Sequence, residues 1–214
     1  TTAARARTIL FVHGSSMASQ PTFDLHVPGR PDSSAMEYFA GLGYDTWTMD
    51  NEGYGRSDKH RDINCDIGNG ADDLAAGSEY ILKVGGAKNL LVYGISSGAL
   101  KAALFAQRHP ERVARLALDA FVWTGEGSPT LEQRKKKLAE FQAKNRRPID
   151  RAFVRSIFQR DHPGTADEAT VDHLKRKQPF AGGLILFALF GAGMLSVDAW
   201  LARRAKVPPI AENG

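Results

Sequence analysis

The sequence predicts an α/β protein built on a doubly wound, mostly parallel sheet and followed by a helical segment. Three observations predict it. Short, mainly apolar runs alternate with longer stretches of helical periodicity. The runs are continuously apolar, as in parallel strands buried on both faces. Each run ends in a turn rich in Gly, Ser or Asp, and after Thr124 no further strand signal occurs.

In chain order, Thr8-Ile9-Leu10-Phe11-Val12 is the first strand, ending at His13-Gly14. A polar loop to about Ser33, with Pro21, Pro28 and Pro31, follows; its length suggests a functional loop or lid. Ser34-x-x-Glu37 caps a helix through Met36, Phe39 and Ala40 that closes at Gly41 or Gly43. Tyr44 to Met49 is the second strand, ending at Asp50. Ala71 to Val84 is a helix with Leu74, Ile81 and Val84 inward, closed by Gly85-Gly86. Leu90 to Tyr93 is the third strand. The next helix turns Leu100, Ala103, Leu104 and Ala106 to the sheet and stops before Pro110. Val113 to Leu118 is the fourth strand. Beyond it, Ser128-Pro129 starts a charged helix through Leu131, Leu138 and Phe141. A second helix carries Phe153, Val154, Ile157 and Phe158, and Thr165-x-x-Glu168 caps a third. Three units follow: 1–123, 124–177 and a tail, 178–214.

The pentapeptide Gly94-Ile95-Ser96-Ser97-Gly98 joins the third strand to its helix. The chain reverses sharply there with a serine at the apex, and glycine on both sides lets strand and helix approach closely. The serine Oγ is exposed, and the next amide lies at a helix N-terminus, where negative charge is stabilised. A nucleophile needs that arrangement.

Composition excludes several classes. The net charge of +4 is modest, and no aromatic residues interleave the basic runs at Arg134-Lys135-Lys136-Lys137 and Lys175-Arg176-Lys177, so a nucleic-acid partner is not indicated. Cys65 is the one cysteine and cannot form an internal disulfide. The six histidines are scattered without metal-ligand spacing, so neither a metal nor a cofactor is expected. The chain opens at Thr1, not Met, without a signal-peptide pattern, and removal of an upstream segment stays an open reading; the expected location is the cytoplasm, with membrane association as the alternative. Gln178 to Val197 carries no charge and is long enough to cross a bilayer, with Arg203 and Arg204 beyond it. Membrane association through 178–197 and burial on the sheet are both open readings.

His13-Gly14-Ser15-Ser16, Asp50-x-x-Gly53-x-Gly55-x-Ser57 and the Ser96 pentapeptide leave three successive strands at one sheet edge. Their order and spacing from about Thr8 to Trp123 resemble the α/β-hydrolase family. The resemblance implies that Ser96 is the nucleophile and that the backbone N–H groups of Ser97 and Ser15 form the oxyanion hole. It makes His13 and the Asp50 loop structural, and 124–177 a helical cap over an apolar pocket. A serine nucleophile implies an acyl-enzyme, hence hydrolysis of a carboxylic ester, thioester, lactone or amide.

The chain departs from the family in what flanks these motifs. It resembles an incomplete core, the four central strands plus the cap. The segments that normally carry the acid and the histidine are not seen. His109, His162 and His173 follow Ser96, but none follows a strand. Asp119, ending the fourth strand, is the candidate acid. The expected function is a serine hydrolase with a small ester-like substrate. The alternatives are a catalytically incomplete interaction or membrane-associated module, and one half of a two-chain hydrolase. Open sheet edges would favour a homo-oligomer or a partner chain.

Overall fold

A computed structural model describes residues 7–182, apart from 16, 60–64, 123, 128–131, 133, 134, 137, 144, 145, 160, 161, 178 and 179. Strands β1 (Thr8–Val12), β2 (Asp45–Thr48), β3 (Leu90–Ile95) and β4 (Val113–Asp119) form one parallel sheet in the order β2-β1-β3-β4. Helices α1 (Ser19–Phe23) and α2 (Ala35–Gly41) lie between β1 and β2, α3 (Ile67–Gly85) between β2 and β3, and α4 (Ser97–Arg108) between β3 and β4.

The central strands form as their apolar runs require. All of β1 is buried. On one face of the sheet, Leu10, Val12, Leu90 and Val92 pack with Leu74 and Ile81 of α3 and Phe105 of α4. On the other, Ile9, Phe11 and Phe23 pack with Phe39, Tyr44 and Tyr93. Fully burying each such side chain contributes about 1.5–3 kcal/mol. Ser34 caps α2 by accepting the Glu37 amide at 3.1 Å. Helix α3 begins four residues before Ala71, because Asp66 and Asn69 form a reciprocal capping box.

Val84 is 57% exposed, since α3 buries the stripe Ala71, Leu74, Ser78 and Ile81 instead. Helix α4 buries Gly98, Ala99, Lys101, Ala102 and Phe105, while Leu100, Ala103, Leu104 and Ala106 are half-buried. Apolar residues occur on both faces of α4: Leu104 still packs against the main core, but the fully buried face is the one that carries Lys101. Strand β4 is apolar in sequence except for Arg115 and its terminal Asp119, yet its middle residues from Ala114 to Ala117 are exposed: no described element covers its outer edge.

The loop after β1 is not merely polar. Asp24 and Val27 make bridges to Ser34 and Arg30, and Leu25 and Val27 are buried. They pack against Ile149, Val154, Val171 and Leu174 from the segment after β4. That segment contains α5 (Leu138–Ala143), α6 (Arg151–Gln159) and α7 (Glu168–Lys177). It also contains strands, contrary to expectation: β5 (Arg146–Pro148) pairs antiparallel with β6 (Phe180–Gly182). Helix α7 is capped by Asp167, which accepts from the amide and hydroxyl of Thr170. Thr165 instead donates its hydroxyl to the Phe158 and His162 carbonyls. Beyond Phe180–Gly182, the uncharged stretch 178–197 and the tail lie outside the described residues. Among the described residues, no helix is long and apolar enough to cross a membrane.

Candidate active site

The carboxyl ends of β1 and β3 bring two of the motifs together. Ser96 stands between β3 and α4 with φ 61° and ψ −123°, a region that a serine occupies only when its surroundings enforce it. Close packing enforces it here. A Cβ on Gly94 would lie 2.5 Å from the Gly98 carbonyl oxygen. One on Gly98 would lie 2.6 Å from the His13 carbonyl oxygen and closer still to that of Val12. Larger residues at these positions would force strand and helix apart.

The His13–Gly14 turn reaches the serine side chain. A Cβ on Gly14 would lie 3.2 Å from Ser96 Cβ and 3.6 Å from Ser96 Oγ. Ser97 is the first residue of α4, so its N–H is among those a helix leaves without an intrahelical acceptor. Its hydroxyl is buried and has no hydrogen-bond partner among the described residues.

His13 is fixed at both ring nitrogens. Nδ1 lies 2.7 Å from the Gly14 carbonyl oxygen, and Nε2 accepts the Asn51 amide at 3.0 Å. The proton therefore sits on Nδ1, donated to Gly14. Burial, reinforced by the positive charge of Lys101, lowers the His13 pKa to about 3. A buried imidazole with both nitrogens committed is a structural brace.

The Asp50 turn is similarly internal. Its carboxylate accepts from the Ser19 amide at 2.8 Å, the Ser19 hydroxyl at 2.6 Å and the Arg56 amide at 2.9 Å. Burial opposes its ionisation, but these donors outweigh it and hold its pKa below the usual carboxylate value. Ser57 Oγ donates to the Asp50 carbonyl at 2.6 Å.

Asp119 ends β4 in register with Ile95, and its carbonyl accepts the Ser96 amide at 2.9 Å. Its carboxylate accepts the Tyr93 hydroxyl at 2.5 Å. Burial, then that hydrogen bond and the carboxylate charge, push the Tyr93 pKa up. Ala120 follows with φ 49°; it and Ser96 are the positive-φ residues other than glycine among the described residues. Among those residues Ser96 Oγ has no hydrogen-bonded histidine. His109 caps the far end of α4, roughly 18 Å away along the helix axis. His162 and His173 lie in the segment after β4. Cys65 is half-buried, and burial with the Glu52 charge raises its pKa, so it is no activated thiolate.

Tyr93, Asn51, Ala120 and Lys101 are neighbours of the site that motif reading misses. Only Lys101 left a signal: a charge on the otherwise apolar face of α4, one helical turn after Ser97.

A strained serine between close-packed glycines, at the edge of a parallel sheet, defines a class of protein that sequence comparison identifies independently. The alpha/beta hydrolase fold family matches the chain over residues 8–165. The chain belongs to that family. Solved structures share the fold at low identity. One is a carboxylesterase from the thaumarchaeon Nitrososphaera gargenis, with TM-score 0.59, 14% identity and coverage of 89% of this chain and 66% of that one. Another is an extracellular alpha/beta-hydrolase from a Paenibacillus species, with TM-score 0.57, 18% identity and coverage of 92% and 73%. A third is the thioesterase domain of the curacin biosynthetic pathway, with TM-score 0.54, 17% identity and coverage of 83% and 61%. The chain thus spans between 61% and 73% of the length of these structures. No curated protein matches it by sequence.

Proposed function

We propose that this chain is a serine hydrolase acting on carboxylic esters, or on a thioester, lactone or amide, through an acyl-enzyme on Ser96. The observation that carries the reading is the strained Ser96 at the start of α4 with the Gly14 backbone against its side chain. In this reading Ser96 Oγ attacks the substrate carbonyl carbon and its proton passes to a base. The carbonyl oxygen takes the negative charge and receives the Ser97 and Ser15 amides. Such donors typically contribute about 3–4 kcal/mol each to lowering the barrier. Collapse breaks the acyl bond to the alcohol, thiol or amine, which takes up the proton, and water then hydrolyses the acyl-enzyme to release the acid and restore the Ser96 hydroxyl. Asp119, beside Ser96, is the acid of the proposed triad. The segment 124–177 caps the pocket, and the neighbouring carboxylesterase and thioesterase folds agree with an acyl substrate.

The test is turnover of p-nitrophenyl esters of graded acyl length by wild type and Ser96→Ala. Ser96-dependent hydrolysis is expected; equal rates from both folded proteins contradict the proposal.

A second reading is an incomplete hydrolase, an interaction module or half of a two-chain enzyme. It is favoured by the exposed β4 edge and by the absence of a histidine bonded to Ser96 among the described residues. In that reading a second copy or a partner chain pairs with β4, and 178–197 is the segment that would meet a membrane. Turnover that appears only after a partner chain is added favours it; full turnover by the isolated chain rejects it.

A further inference from the structure

We propose that Lys101 is a positioning residue of the Ser96 site, whose buried ammonium braces the Gly14 and Ser15 carbonyls through Asn51 and Tyr54. The inference rests on the serine-hydrolase reading for its catalytic meaning, but its structural part can be tested alone.

Lys101 is 2% exposed on α4. Its side chain crosses the α3–α4 interface where α3 has Gly70: a Cβ there would lie 2.5 Å from Lys101 Cδ. The passage exists because α3 has no side chain at that point. The ammonium emerges behind the turns that follow β1 and β2. It donates to Asn51 Oδ1 at 3.1 Å and lies 5.2 Å from the Tyr54 ring centroid.

Both contacts lead to the backbone around Ser15, one to the carbonyl before it and one to its own carbonyl. The Asn51 backbone N–H donates to His13 Nε2, and His13 Nδ1–H donates to the Gly14 carbonyl. In a trans peptide the carbonyl and N–H point in opposite directions. Gripping the Gly14 oxygen therefore aims the Ser15 N–H away from His13. From the other side, the Tyr54 hydroxyl donates to the Ser15 carbonyl at 3.0 Å, and its ring packs on His13 at 4.7 Å. Lys101, Asn51, His13, Gly14, Ser15 and Tyr54 form a closed ring of contacts behind the proposed oxyanion donor.

A lysine is a costly brace, because burying a charge is expensive unless it is used. The titratable and charged groups facing it are Asp73 on α3, Cys65 in the loop before α3, and neutral His13 after β1. Burial lowers the Lys101 pKa to about 8 against the opposing pull of Asp73. The brace should therefore loosen in mildly alkaline solution.

The experiment follows the Ser15 amide by NMR, and the rate of Ser96 labelling by a fluorophosphonate, from about pH 6 to about pH 10. It uses the full chain as wild type, Lys101→Met and Gly70→Ala. In wild type the Ser15 amide resonance should move with a midpoint near 8, and labelling should slow about tenfold through the same transition. Lys101→Met, with an unchanged circular dichroism spectrum, should show neither transition and should label about tenfold more slowly near neutrality. Where Lys101→Met does not fold, Gly70→Ala takes its place: it displaces the ammonium and should shift the midpoint and slow labelling.

A Ser15 amide that does not titrate in wild type overturns the proposal. So does a folded Lys101→Met that labels within about twofold of wild type. A transition that persists in Lys101→Met does not belong to Lys101 and also overturns it. No labelling of wild type, with a Ser15 transition that Lys101→Met abolishes, removes the hydrolase reading and leaves the brace standing.

Discussion

The amide of Ser96 donates to the carbonyl of Asp119 at 2.9 Å, tying the ends of β3 and β4 together where the backbone is most strained. Ser96 has φ 61° and Ala120 has φ 49°, each one residue beyond the end of its strand. Such conformations cost about 1–3 kcal/mol each and persist because the surrounding packing over-determines them. Replacing Ser96 with glycine, which adopts this φ without strain, should raise stability by about 1 kcal/mol while abolishing Ser96 chemistry. Thermal melting checks the first part and ester turnover the second.

The glycines around that serine set the helix–strand separation. Gly98→Ala would drive its methyl into the Val12 and His13 carbonyl oxygens, which are backbone and cannot rotate away. A loss of about 3 kcal/mol or more is expected, at the upper end of overpacking costs. Gly29→Ala, where nothing crowds the added carbon, should cost about 1 kcal/mol, for its positive φ alone. Urea midpoints of the two variants should differ accordingly.

Asp119 is engaged by Tyr93, and this separates its charge from its shape. Asp119→Asn keeps an acceptor for the Tyr93 hydroxyl, so stability should change by no more than about 1 kcal/mol. Its loss of charge should lower kcat about 100-fold or more if it is the triad acid. Equal turnover by this variant and wild type would remove Asp119 from the mechanism.

Two buried groups give stability a directed pH dependence. His13 has a folded pKa of about 3 against an ordinary value of 6.5, so the unfolded chain binds the proton first as pH falls. Its contribution is present above 6.5 and lost toward 3, by up to about 1.4 kcal/mol per pH unit. Lys101 is lowered to about 8 from 10.5, so the unfolded chain holds its proton longer through that window. Stability should rise with pH there in wild type relative to Lys101→Met. Melting temperatures of wild type and the single variants across both windows check the two signs.

The order of strands, helices and turns was legible because each level of the sequence agreed: apolar runs, capping residues and glycine-bounded turns all placed β1, β3 and α4. Ser96 was legible because its pentapeptide sits between a strand and a helix. The burial of α4 was not, since Lys101 lies in the core only because Gly70, far away in sequence, makes room for its stem. The exposure of β4 was not, because Ala114 to Ala117 read as a buried strand and only the sheet order shows the outer edge uncovered. Leu25 and Val27 looked like loop residues because the surface that buries them, Ile149, Val154 and Val171, comes from more than a hundred positions later.

Whether Ser96 is a nucleophile is decided by fluorophosphonate labelling. The full chain and Ser96→Ala would be treated with the probe, and the modified peptide mapped by mass spectrometry. A single phosphonylated peptide at Ser96 is expected, and it should disappear in the alanine variant. A folded wild-type protein that remains unmodified, or that is modified equally in Ser96→Ala, would contradict it.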